Sequence, residues 1–155
     1  MSPIRGPKEW LNLAAEIPRL LDSSGVFRKS WERRTASYGD GRIGAAIALA
    51  PGRSVRGLSE RSLREIARPV RVMVGDDDEA APPAECAFWL KDRVPMSQLE
   101  SLGSGVGHYI FLPQATETGR REAPELFVDG PGVKRVSIQQ RVVDVAIDFL
   151  AGSRG

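Results

Sequence analysis

The 155-residue sequence predicts an α/β domain built on a three-stranded parallel sheet with flanking helices. Three observations predict it. From residue 43 onward, short apolar or β-branched runs alternate with stretches of helical character. Each run is bounded by Gly or Pro signals. Strands that alternate with helices lie parallel and are joined by right-handed crossovers.

The first 42 residues differ from the rest. Trp10, Leu13, Ile17 and Leu20/Leu21 recur at helical spacing and predict one amphipathic helix. Residues 27–38 hold a second. Gly39, Asp40 and Gly41 mark a turn. We therefore expect a helical N-terminal segment over 1–42, lid-like or connecting, followed by a domain over 43–152.

Residues 43–50 (IGAAIALA) form a continuously apolar run ending at Pro51-Gly52, which predicts a strand buried on both faces. A helix over 59–67 follows, with Ser59 as N-cap, and Pro69 stops it. Residues 70–74 (VRVMV) are the second strand. Residues 75–81 form an acidic loop. Pro82-Pro83 opens a helix to about residue 93, with Pro in the first turn, where its missing N–H costs nothing. The third and weakest strand spans 96–102. Residues 103–107 are a glycine-rich loop leading to His108. Residues 113–134 read as irregular. Ser137 and Gln140 have capping-box spacing. Behind them Ile138, Val142, Val145/Ala146 and Phe149/Leu150 make one helical stripe.

Charge and composition exclude several functions. The net charge is +2, and the densest basic cluster, Arg28, Lys29, Arg33 and Arg34, is interrupted by Glu32. It reads as a solvated helix face, not as the localised footprint that nucleic acid requires. Cys86 is the only cysteine and His108 the only histidine. No intrachain disulfide forms, no cysteine-based zinc site is available, and no metal or cofactor is expected. Cys86 reads as a buried structural thiol. The longest apolar run is too short to span a bilayer. The first residues lack the apolar core of a signal peptide, so as written the chain is expected to be cytoplasmic.

The chemistry-bearing residues are few. Asp76, Asp77, Asp78 and Glu79 follow the second strand, and His108 follows the third. Loops after parallel strands share one rim of the sheet, where ligands bind. A carboxylate in one such loop can accept a hydrogen bond from the imidazole in the next, fixing its tautomer and stabilising its protonated form. An ordinary imidazole titrates near pH ~6.5, which suits a general base. A strand running into Asp-x-Asp is also the pattern of a magnesium-dependent phosphatase loop, but no second acidic pair follows it.

Three segments, DGRIGAAIALAPG (40–52), ARPVRVMVGDDDEAAPP (67–83) and SGVGHYIFL (104–112), resemble the predicted dienelactone hydrolase branch of the α/β-hydrolases. In that group a strand ending in Ala-Pro precedes a strand ending in Gly-Glu-x-Asp and followed by Pro-Pro. The histidine lies in a Gly-x-Gly-His-Tyr context. The resemblance implies a partial α/β-hydrolase fold, its C-terminal half, with Asp78 as the triad acid and His108 as the base. Asp76 stands where the group has Glu. Residues 131–152 resemble the group's last helix. The firm motifs lie between residues 40 and 112.

The nucleophile of that group lies in a Gly-x-Ser-x-Gly turn, which also helps to form the oxyanion hole. This sequence has none. Residues 103–107 carry Gly at the centre, and residues 52–56 lack the closing Gly. Loss of the serine from a triad costs on the order of 10⁶ in turnover. The expectation is an ester or lactone hydrolase whose nucleophile comes from another segment or chain, and which is inactive alone. The alternative is a non-catalytic binding module that keeps the hydrolase shell. The 43–50 strand carries no Lys, Pro or bulge signal to protect an open edge, so pairing there with a second copy or a complementing chain is expected.

Overall fold

A computed structural model describes residues 8–36 and 39–153. These fall into two compact units divided between residues 42 and 43.

The first unit is helical. Helix α1 spans Lys8–Ser23, the helix expected from the Trp10–Leu21 spacing. Helix α2 spans Gly25–Glu32, where the sequence predicts 27–38. Ser24 separates the two, and its Oγ accepts from the Phe27 N–H at 3.2 Å, an N-cap that restarts the helix. A single 3₁₀ turn, Arg33–Thr35, follows. Ser37 and Tyr38, within the expected second helix, lie outside the described residues.

The second unit is built on three parallel strands in the order β1-β2-β3: β1 Ala46–Leu49, β2 Val70–Val74 and β3 Ser97–Ser101. Ala48 lies opposite Val72, which lies opposite Leu99. The α/β class and the parallel sheet are as the sequence predicts. Side chains alternate along a strand, so β2 feeds two cores. Val70, Val72 and Val74 point to the face covered by helices α3 (Glu60–Arg64) and α4 (Ala87–Lys91), and pack with Leu63, Ala87, Leu90 and Val94. Each such Val or Leu burial is worth about 1.5–3 kcal/mol. Arg71 points to the opposite face, where its guanidinium lies 5.4 Å over the Phe149 ring of helix α7, Arg135–Gly152. Two short helices, α5 (Glu117–Glu122) and α6 (Pro124–Phe127), occupy the stretch expected to be irregular.

Several expectations need correction. The 43–50 run yields a four-residue strand that is not buried on both faces: Ile43 is 56% and Leu49 44% exposed. The cause is its position at the sheet edge. Ala46 donates to the Pro69 carbonyl just before β2 and Ala50 to that of Met73 in β2, at 3.0 and 2.8 Å. In a parallel ladder the N–H groups of Ile47 and Leu49 then point to the open side. The third strand is polar because it forms the other edge; only Leu99 packs against the core.

The helix after Pro83 begins at Ala87, behind a turn in which the Cys86 N–H bonds the Pro82 carbonyl. The last helix begins at Arg135, before Ser137, and its N-cap Lys134 makes no side-chain cap. The capping box does not form, and Gln140 instead donates to Asp144 within the helix at 2.9 Å. Ser59 does cap α3, accepting from Ser62 N–H at 3.1 Å.

Candidate active site

The loops after β2 and β3 meet at the carboxyl rim of the sheet, and the chain locks them together by its backbone. Gly75 ends β2 against the second loop. A Cβ at Gly75 would lie 2.1 Å from the Val106 carbonyl oxygen, so no other residue fits without moving that loop. Gly105 has φ +78, a left-handed conformation that favours glycine. The Asp76 N–H donates to the Gly103 carbonyl at 3.2 Å, and the Asp77 N–H to that of Val106 at 3.1 Å.

The structure brings Asp78 and His108 together. His108 Nδ1 lies 2.8 Å from Asp78 Oδ2, and the Asp78 side chain is fully buried. The other oxygen, Oδ1, accepts the Ala81 N–H at 2.7 Å. Both oxygens are therefore held, and the carboxylate cannot rotate away. An ionised carboxylate only accepts, so Nδ1 is the donor of this contact, and in the neutral ring Nε2 presents a lone pair. The His108 side chain is 28% exposed, and its ring meets Tyr109 edge-on at 5.0 Å.

His108 opens a short 3₁₀ turn, His108–Phe111, anchored from below. Ile110 is buried with Leu102 and Val106, against Ile138 and Val142 of α7. Gln139 Nε2 donates to the carbonyls of Ile110 and Leu112, at 2.9 and 2.6 Å. Arg135 donates to the carbonyls of Leu112 and Leu126, and its guanidinium holds both oxygens of Asp129, at 2.8–3.2 Å. Sequence reasoning missed Gln139, Arg135 and Asp129. A signal existed: Arg135 lies three residues before Ile138, on the stripe that turns inward. A charged residue on an apolar stripe is the informative exception.

Asp76 and Asp77 take other partners, while Glu79 lines the cleft beside His108. Asp76 accepts from Ser101 Oγ at 2.6 Å, and Asp77 from the Gly105 N–H at 2.7 Å. They brace the loop, as capping residues do. Among the described residues no three His, Cys, Asp or Glu side chains converge to hold a metal ion, and no helix is long and apolar enough to cross a membrane. Cys86 is buried under α4, and burial pushes its thiol pKa up.

An open cleft of about 650 Å³ lies against His108, lined also by Glu79, Tyr109, Glu125, Leu126 and Val128. Among the described residues no hydroxyl or thiol hydrogen-bonds Nε2. The arrangement is an oriented imidazole with a buried carboxylate behind it and an open cleft in front. Chemically it can accept a proton and return it.

No family model and no curated protein matches the chain. Among solved structures it is similar to the crystal structure of a predicted CIB-like hydrolase from Thermoplasma acidophilum, at 24% identity and a TM-score of 0.40. The match covers 54% of this chain and 39% of that one. The chain thus spans well under half the length of that protein, and a likeness this low carries no argument about fold or activity.

Proposed function

We propose that this chain supplies the acid and the base of a serine hydrolase of the α/β-hydrolase type, acting on carboxylic esters or lactones like the dienelactone hydrolase branch. The observation that carries the reading is the 2.8 Å contact between buried Asp78 and His108 Nδ1, with Nε2 left free at the cleft. The nucleophile comes from another segment or another polypeptide. Its serine Oγ bonds to the substrate carbonyl carbon while its proton passes to Nε2. Asp78 stabilises the imidazolium, which gives that proton to the leaving alkoxide as the C–O bond breaks. A water then loses a proton to Nε2 and attacks the acyl carbon. The proton returns to Oγ, and the carboxylic acid leaves. The open side of β1 is where a strand of that segment, or of a second copy, pairs.

A serine-reactive fluorophosphonate probe tests the missing nucleophile. The isolated chain is expected to take up none, and stoichiometric labelling of a serine within residues 1–155 refutes the assignment. His108→Ala in the complete assembly tests the base: turnover of a p-nitrophenyl ester falls on the order of 10⁴–10⁶. The unoccupied Nε2 also favours a second reading, a binding module that keeps the hydrolase shell. For that reading His108→Ala leaves the biological function unchanged.

A further inference from the structure

The acid–base pair spans two loops, and its geometry is only as good as the hold one loop has on the other. The histidine loop, 103–107, contains three glycines and so has the freedom to move. Its hydrogen bonds are concentrated on the two aspartates that precede the triad acid. At its start, Gly103 N–H donates to Ser101 Oγ at 3.2 Å, and Ser101 Oγ donates to Asp76 Oδ1 at 2.6 Å. At its middle, Gly105 N–H donates to Asp77 Oδ2 at 2.7 Å. One residue on, the Val106 carbonyl accepts from the Asp77 N–H at 3.1 Å. Asp77 therefore grips the loop twice, by carboxylate three residues and by backbone two residues before His108. The carboxylate bond is the shorter of the two.

Resting on the hydrolase reading, we propose that Asp77 is a positioning residue for His108: its carboxylate holds the loop at Gly105 so that Nδ1 meets Asp78. What matters is an acceptor at Oδ2, not the charge. Asp77→Asn, which keeps an amide oxygen, preserves the geometry. Asp77→Ala releases it.

The test uses the chain itself, whose single histidine makes its ring N–H signal unambiguous by NMR. Two exchange rates with water are measured, for His108 Nδ1–H and for the Gly105 amide. Asp77→Ala is expected to speed both about tenfold, the ~1.4 kcal/mol of one hydrogen bond. Asp77→Asn is expected to stay within about twofold of wild type. The amides of Val72 and Val74 in β2 report general loosening and stay protected in both variants. Unchanged rates in Asp77→Ala overturn the proposal. So does equal acceleration in both variants, which would assign the effect to charge, or an acceleration that extends through β2. If Asp77→Ala does not fold, the wild type decides: a Gly105 amide exchanging at the rate of an open loop overturns the proposal. A missing Nδ1–H signal in a wild type whose Gly105 amide is protected instead defeats the acid–base reading.

Discussion

Gly75→Ala puts the joint between the two loops under direct test. The added Cβ would lie 2.1 Å from the Val106 carbonyl oxygen, 2.6 Å from its carbon and 2.8 Å from Val106 Cγ1. Ordinary contact begins at 3.4 Å, so the carbonyl must retreat by about 1.3 Å. The obstacle is backbone and cannot rotate out of the way. Overpacking of this kind costs about 1–3 kcal/mol. The same retreat breaks the bond from the Asp77 N–H to that carbonyl, for about 1 kcal/mol more. The sum is about 2–4 kcal/mol. With a urea slope of about 2 kcal/mol per molar, the unfolding midpoint by circular dichroism drops by roughly 1–2 M. Because Val106 lies two residues before His108, the downfield Nδ1–H signal weakens as well. Gly52→Ala is the control: nothing lies within 4 Å of its Cβ, and its φ of −77 suits any residue. Equal midpoints for the two variants, with the histidine signal intact in both, would refute the claim that Gly75 sets the loop spacing.

Three other outcomes follow from the same structure. Arg135→Met strands the Asp129 carboxylate and takes the side-chain donor from the Leu126 carbonyl, while Leu112 keeps Gln139, so stability falls by about 3 kcal/mol; a denaturation midpoint equal to wild type contradicts this. Burial raises the Cys86 thiol pKa, so the native chain resists Ellman's reagent at pH 8 and reacts only on unfolding. Its contribution to stability is then full below about pH 8.5, the value for a free cysteine, and is lost as pH rises through the higher folded value; rapid stoichiometric labelling of the folded protein argues against it. For association at the open side of β1, light scattering at micromolar concentration is expected to find a dimer or larger species, and Leu49→Lys to restore the monomer; a monodisperse, cooperatively unfolding wild-type monomer removes the case for that edge.

The sheet was legible because its signals are local. Val70–Val74 is β-branched and bounded by Pro69 and Gly75, and the observed β2 has those bounds. The helix of Lys8–Ser23 follows its apolar spacing even with Pro18 inside it. Where the reading failed, a local signal competed with a distant one. The Ser137–Gln140 spacing matches a capping box, yet Arg135 makes bonds to Asp129, Leu112 and Leu126 that draw the helix start two residues earlier. The apolarity of residues 43–50 describes a strand with neighbours on both sides, but the described sheet places one on a single side.

At the candidate site the division is similar. The order of strands and helices, by itself, put the acidic loop and the only imidazole at one rim, because parallel strands all end there. Composition and spacing left four consecutive carboxylates open, and only the resemblance singled out Asp78. Which carboxylate faces the ring, at 2.8 Å, was decided by tertiary structure: Ala81 turns Asp78 inward, Ser101 takes Asp76, and Gly105 takes Asp77. The physical reason is range. A strand or turn is encoded by residues a few positions apart, whereas a buried polar atom takes its partner from whatever the fold brings beside it, here as much as 30 residues away.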